Sequence, residues 1–158
     1  MNNHNYKKFT KILVPIDGST NSMKAAEYGA DIAQIYGSEM VVLHVLFSHS
    51  GFAFHTETVT GTITTSSLDD LNTEAKNEAE KWFNQVNKIT ERTKIKVKSE
   101  VVLTVISIVE AILSYAEKEG IDLIIVGSKG RSGWKKLILG SVASGISTYA
   151  HCPVLIVK

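Results

Sequence analysis

The chain has 158 residues, 44% of them apolar and 21% charged, which suits one α/β or α+β domain with a core and is too little for two. A formal net charge of +1 excludes bulk attraction to nucleic acid or to an anionic membrane. That average conceals an asymmetry: beyond Asp122, the last acidic residue, the final 36 residues carry Lys129, Arg131, Lys135, Lys136 and Lys158 unopposed, +5 against −4 for the remainder, so anion binding is expected in that tail.

The opening segment MNNHNYKKFTK has no apolar stretch of signal-peptide length, and no run approaches the roughly 20 apolar residues that span a bilayer. A single unanchored domain over 1–158 is expected. KILVPI, residues 11–16, is a continuous apolar run rich in β-branched residues and closed by Asp17-Gly18-Ser19, as in a strand buried on both faces. Small and apolar residues from Ser22 to Tyr36 then follow helical spacing, with N-cap candidates among Ser19 to Ser22 and Gly37 in the C′ position. MVVLHVLF, 40–47, is a second buried strand, so the chain opens with a right-handed βαβ unit and a parallel sheet.

Residues 47–67 break this rhythm with Ser, Thr, Gly51, Gly61 and an alternating TVTGTIT. They read as a flexible loop insertion, either a solvated excursion or a lid or dimer arm. From Leu68 onward Leu71, Ala75, Ala79, Trp82, Val86 and Ile89 recur at helical steps, with Trp82 and Phe83 as core anchors. IKVKSEVVLTV, 95–105, alternates and then turns apolar, as an edge strand does. A helix should start at Ser107, with Glu110 three residues on, and stop at Glu119-Gly120. IDLIIVG, 121–127, is the most apolar strand, a helix spans about Ser141 to Ala150, and VLIV closes the chain beyond Pro153. Strict alternation of five strands and four helices predicts an α/β fold, an open parallel sheet with helices on both faces.

Ligands of such sheets bind outside the carboxyl ends of strands, where strand order reverses. Two strand ends carry polar residues: Asp17 after the first strand, and GSKGRSGWKKLILGS from Gly127 to Ser141. The glycines at 127, 130, 133 and 140 can present backbone N–H groups to a phosphate, Gly140-Ser141 opens a helix with free N–H groups, and four of the five unopposed cations lie in the same stretch. A tight strand-to-helix connection is the plain alternative for the glycines, and a helix N-cap is the plain alternative for Asp17. Neither a Walker A sequence nor G-x-G-x-x-G occurs.

The spacing Gly127-x2-Gly130-x9-Gly140-Ser141, together with KILVPIDGS, His44-Val45, AEKEGIDLIIVGSKGRSG, LILGSVAS and HCPVLIVK, resembles the universal stress protein family of the ATP-binding type over nearly the whole chain. The resemblance implies a Rossmann-like sheet ordered 3-2-1-4-5, stress-response function and ATP at the crevice between strands one and four. By position, Pro15 would shape the floor, Asp17 would meet the ribose and the Val45 main chain would hold adenine. Gly127, Gly130, Gly140, Ser141 and Val142 would hold the phosphates, with Ser128, Lys129, Arg131, Ser132, Gly133 and Ala143 flanking them. One departure stands out: VISIVEAIL places Ile106 and Ile108 where family members often have a glycine and a helix breaker, and a reshaped pocket rim is expected.

Catalytic equipment is thin. His4, His44, His49, His55 and His151 show no metal-ligand spacing, and His44, inside an apolar strand, reads as a satisfied core residue. The lone Cys152 fits a reducing, cytoplasmic compartment and reads as buried, with no catalytic role. One carboxylate, Asp17, is available to position a hydrated Mg²⁺. The reading is a regulatory protein binding adenine nucleotide, with at most slow ATP turnover and no catalytic or metal-ligating residues of its own. The alternative is a dimeric interaction module indifferent to nucleotide. A flavodoxin-like carrier and a nucleotidyl transferase are disfavoured by the missing phosphate nest after strand one and the missing HxGH and SGGxDS sequences. VLIV as an uncovered edge, and the resemblance, both point to a homodimer through the C-terminal strand.

Overall fold

The computed structural model describes residues 9–47, 65–131 and 139–158. In chain order its elements are β1 (Lys11–Pro15), α1 (Thr20–Tyr36), β2 (Glu39–Phe47), α2 (Thr65–Thr90), β3 (Val97–Thr104), α3 (Ile108–Lys118), β4 (Leu123–Gly127), α4 (Ser141–Tyr149) and β5 (Val154–Val157). The strands form one sheet in the order β3-β2-β1-β4-β5, and every neighbouring pair is parallel. This is the α/β, Rossmann-like architecture expected from the alternation of strands and helices.

The central strands carry unbroken apolar runs, Ile12 to Val14, Met40 to Leu43 and Leu123 to Val126, because both of their faces are covered. Ile12, Val14, Met40 and Val42 pack on one side against Ala26, Ala30 and Ala33 of α1 and Ala79, Phe83 and Val86 of α2. Leu13, Val41, Leu43 and Ile124 pack on the other against Ile112 and Ala116 of α3 and Ile146 of α4. Each such aliphatic side chain, withdrawn from water, contributes about 1.5–3 kcal/mol. The alternating half of the third strand lies at the sheet edge, where Val97 to Thr104 are partly exposed.

The caps follow the chemistry expected of them. Ser19 Oγ accepts the N–H of Ser22 at 3.2 Å, so α1 begins two residues earlier than its apolar periodicity suggests. Gly37 closes it with φ 66°. Ser107 Oγ accepts the Glu110 N–H at 3.4 Å, and Gly120, φ 65°, follows α3. At the amino end of the sheet Asp122 Oδ2 accepts from Thr10 N–H and Oγ1, and Oδ1 from Lys11 N–H, which pins the start of β1 beside β4.

The 47–67 segment needs correcting at both ends: β2 retains Phe47 and α2 already begins at Thr65. Ser and Thr suit the first turn of a helix as well as a loop, so composition does not separate the two. Residues 48–64, with the hairpin and lid readings attached to them, lie outside the described residues, as do Ser132 and Gly133. Among the described residues no helix is long and apolar enough to cross a membrane.

Candidate anion-binding site

β1 and β4 are neighbours whose chains leave the sheet in opposite directions, β1 toward β2 and β4 toward β5. Their carboxyl ends therefore diverge, and a cavity of about 400 Å³ opens there. Pro15, Ile16 and Asp17 form its floor. One end is apolar: Leu43 and Val45 from β2, Ile108 and Ile112 from α3, and Val126 from β4. The other is built from main chain, Gly127 to Arg131 on one side and Gly140 to Ala143 on the other.

The glycine positions are set by close approach. A Cβ at Gly127 would stand 2.7 Å from Asn21 C and 2.8 Å from Ser22 N, so α1 enters against bare β4 backbone. The loop leaving β4 then meets the one entering α4, where the Gly140 N–H donates to the Ser128 carbonyl at 2.7 Å. Gly140 is the N-cap of α4 and provides no side-chain cap. The first N–H groups of that helix, Ser141 to Ala143, therefore have no intrahelical acceptor and face the cavity at the positive end of the helix dipole.

Asp17 joins the two loops. Its Oδ1 accepts the Ser19 N–H at 3.1 Å and the Ser19 hydroxyl at 2.6 Å, and its Oδ2 accepts the Arg131 N–H at 2.9 Å. The N-cap alternative is thereby corrected: Ser19 caps α1, while Asp17 orients Ser19 and latches the loop after β4. Burial opposes ionisation of Asp17, but the donors from Ser19 and Arg131 outweigh it and hold its carboxyl below the ordinary value of 3.8. One lone pair on Oδ2 is left for anything else.

Of the set expected at the site, Pro15, Asp17, Val45, Gly127, Ser128, Lys129, Gly130, Arg131, Gly140, Ser141, Val142 and Ala143 line this one cavity, while Ser132 and Gly133 lie outside the described residues. His44 is a satisfied core side chain, its Nδ1–H donating to the Ile16 carbonyl at 2.8 Å. Cys152 is half-buried against the α3/α4 core. Sequence reasoning missed the apolar wall. Ile108, noted as a departure in the β3-to-α3 connection, lines the cavity with Ile112 one helical turn on, whereas Ile106 is 73% exposed. It also missed Trp82, which is more than a core anchor: its ring lies 5.4 Å from Arg131 Cζ and edge-on to His44 at 4.9 Å.

The arrangement can seat a flat apolar group at one end and an anion at the other, and among the described lining residues Asp17 is the one side-chain carboxylate. The model of the universal stress protein family matches residues 8–158. Universal stress protein YxiE of Bacillus subtilis is 35% identical over 153 residues, covering 95% of this chain and 99% of its own. Universal stress protein MJ0531 of Methanocaldococcus jannaschii is 32% identical over 150 residues, covering 95% and 82%. The solved structure of MJ0577 superposes with a TM-score of 0.78 at 28% identity, covering 96% of each chain. More distant structures of the same fold include a universal stress protein in complex with cAMP, TM-score 0.64, one from Archaeoglobus fulgidus in complex with dAMP, TM-score 0.64, and one from Arabidopsis thaliana with AMP bound, TM-score 0.60.

Proposed function

This chain belongs to the universal stress protein family, and on that premise we propose that it is a regulatory protein that binds adenine nucleotide, ATP above all, in the cavity between β1 and β4. The carrying observation is that one continuous cavity joins an apolar slot to a glycine loop and an uncapped helix N-terminus. Its volume of about 400 Å³ falls within the range of small-ligand sites. The base would lie between Val45 and the Ile108–Ile112 wall, held by main-chain groups of β2. The ribose would pass Asp17, and the phosphates would take the amides of Gly127, Lys129, Gly130 and Ser141 to Ala143, those of Ser128 and Arg131 being donated to the Val157 carbonyl and to Asp17. The nucleotide complexes of distant fold neighbours support the same ligand class.

Turnover, if any, is slow on this reading. Asp17 is the one carboxylate among the described lining residues, and its donors keep it ionised with its oxygens largely engaged, a poor general base. A Mg²⁺ ion carried in on the phosphates would find a single lone pair at Asp17, enough for a contact through water. We also propose a homodimer through the open edge of β5, working in the cytoplasm. Isothermal titration with ATP, AMP and FMN tests the ligand: micromolar-to-submillimolar ATP binding with none for FMN is expected. An absence of ATP binding at millimolar ligand refutes the proposal, and FMN binding would replace it with an electron-carrier reading.

A further inference from the structure

We infer that Trp82 is a positioning residue for the anion end of the cavity: through Arg131, the Glu78–Trp82 face of α2 favours a ligand with a phosphate chain over the bare nucleoside. This rests on the proposed nucleotide reading for its natural ligand, though its physical core is an anion site coupled to α2. Trp82 does not line the cavity, yet three segments that build the cavity close on it. The indole lies against the main chain of Gly18, where φ is 77° and an added Cβ would stand 2.6 Å from Trp82 Cζ2, so no side chain fits between the β1–α1 loop and the ring. His44 of β2 meets its edge at 4.9 Å. Arg131 of the glycine loop lies over its face, Cζ 5.4 Å from the ring centroid.

Arg131 is thus held at both ends. Its N–H is latched by Asp17 Oδ2 at 2.9 Å. Its guanidinium lies over the Trp82 ring and pairs with Glu78 Oε2 at 3.3 Å, and Glu78 and Trp82, four residues apart, share one face of α2. The ion pair is half exposed on both sides and weak by itself; the cation–π contact with the ring adds a second anchor for the guanidinium. Preceded by Gly130, the loop has little intrinsic stiffness, so a cation pinned at both ends removes freedom that anion binding would otherwise have to remove. The effect should fall on the phosphate end alone. Toward β2 Trp82 meets His44, and that ring is fixed independently by the Ile16 carbonyl.

Binding of ATP, sodium tripolyphosphate and adenosine is measured by titration calorimetry on wild type, Trp82→Leu, Trp82→Phe, Arg131→Ala and the Trp82→Leu/Arg131→Ala double variant. Trp82→Leu should weaken ATP and tripolyphosphate about fivefold, the worth of one exposed cation–π contact, and leave adenosine unchanged. Trp82→Phe should restore most of the loss, and in the Arg131→Ala background the leucine should cost nothing further. Equal weakening of adenosine and ATP, or additive losses in the double variant, would overturn the inference. Should the leucine variant not fold, Trp82 emission is read in a Trp134→Phe background: tripolyphosphate should change it when Arg131 is present and not in Arg131→Ala, and the same response in both overturns the coupling. A wild type that binds tripolyphosphate but not ATP sinks the nucleotide reading and leaves the coupling to be decided by the anion. A wild type that binds neither ends both.

Discussion

The Asp17 latch makes a quantitative prediction in the variant Asp17→Asn. The carboxylate accepts two donors from Ser19 and one from Arg131, and an amide of the same shape has one acceptor oxygen and one N–H₂. Whichever way it turns, a backbone N–H, that of Ser19 or that of Arg131, faces a donor instead of an acceptor. The loss is one charge-assisted hydrogen bond, about 1.5–3 kcal/mol, and because water in the cavity can reach the freed donor we expect about 2 kcal/mol, the lower half of that range. For a chain of this size that is a fall in Tm of about 4–8 °C. The pH dependence gives the sharper test. Donors in the folded state lower the Asp17 pKa below its ordinary 3.8, so the unfolded chain takes up the proton first as pH falls. The stabilisation is complete above the unfolded value and drains away as pH drops through the folded one. Urea denaturation of both proteins should therefore give a constant gap from neutrality down to about pH 5 and a closing gap below 3.8. A gap under about 0.5 kcal/mol at neutral pH, which is the scatter of ordinary surface changes, refutes the latch. So does a gap that persists unchanged in acid.

Other positions separate fold from binding. Gly127→Ala places a methyl 2.7 Å from Asn21 C and 2.8 Å from Ser22 N. Because these are main-chain atoms that cannot swing aside, a loss of about 1–3 kcal/mol in chemical denaturation is expected; wild-type stability would mean α1 can retreat from β4. Gly140→Val should behave differently. Its φ of −70° and ψ of 157° suit any residue, and its Cβ would meet the Ser128 carbonyl at 3.2 Å, so the fold should hold while the cradle opens and ATP affinity falls at least about tenfold; retained affinity would make the glycine purely structural. At the sheet edge, the carbonyls of Pro153 and Val157 accept from Ile124 of β4 and from Ser128 just beyond it, so by strand alternation the Ile156 N–H points to the open side. Ile156→Pro should give a monomer on a sizing column, and an unchanged dimer would reject pairing through β5.

Much of this molecule is local in origin and could be read in order along the chain. The strands announce themselves because a strand covered on both faces must be apolar at every position, as Leu13, Val14, Val41 and Val42 are. The caps at Ser19, Gly37 and Ser107 follow from the orphan amides and carbonyls of helix ends. Gly127 and Gly140 were legible as places of close backbone approach, though what approaches them was not. The rest depends on contacts between distant residues. Helical periodicity turns Trp82 inward but says nothing of Gly18, His44 and Arg131 waiting there. Ile108 stands out as a departure at the pocket rim, but Ile112 reads as ordinary core of α3 until the fold brings it to the same cavity as Val45. Asp17 followed by Gly18 and Ser19 looks like any cap, because its second oxygen is used by an amide 114 residues later.

The seam between β1 and β4 bears on how the chain acquires its structure as well as on what it holds. β1 finds its first neighbour early, Lys11 opposite Glu39, but its second only when Ile12 meets Leu123. Until that late strand is available, the other edge of the most apolar part of the sheet stays open, an invitation to self-association during synthesis. Pairing of such wide sequence separation also slows the final folding step. Since the cavity lies across this same seam, it takes shape only where β1 and β4 are paired. A ligand that binds there selects completed molecules and draws the folding equilibrium toward them, so abundance in the cell would track ligand supply even in the absence of any signalling partner.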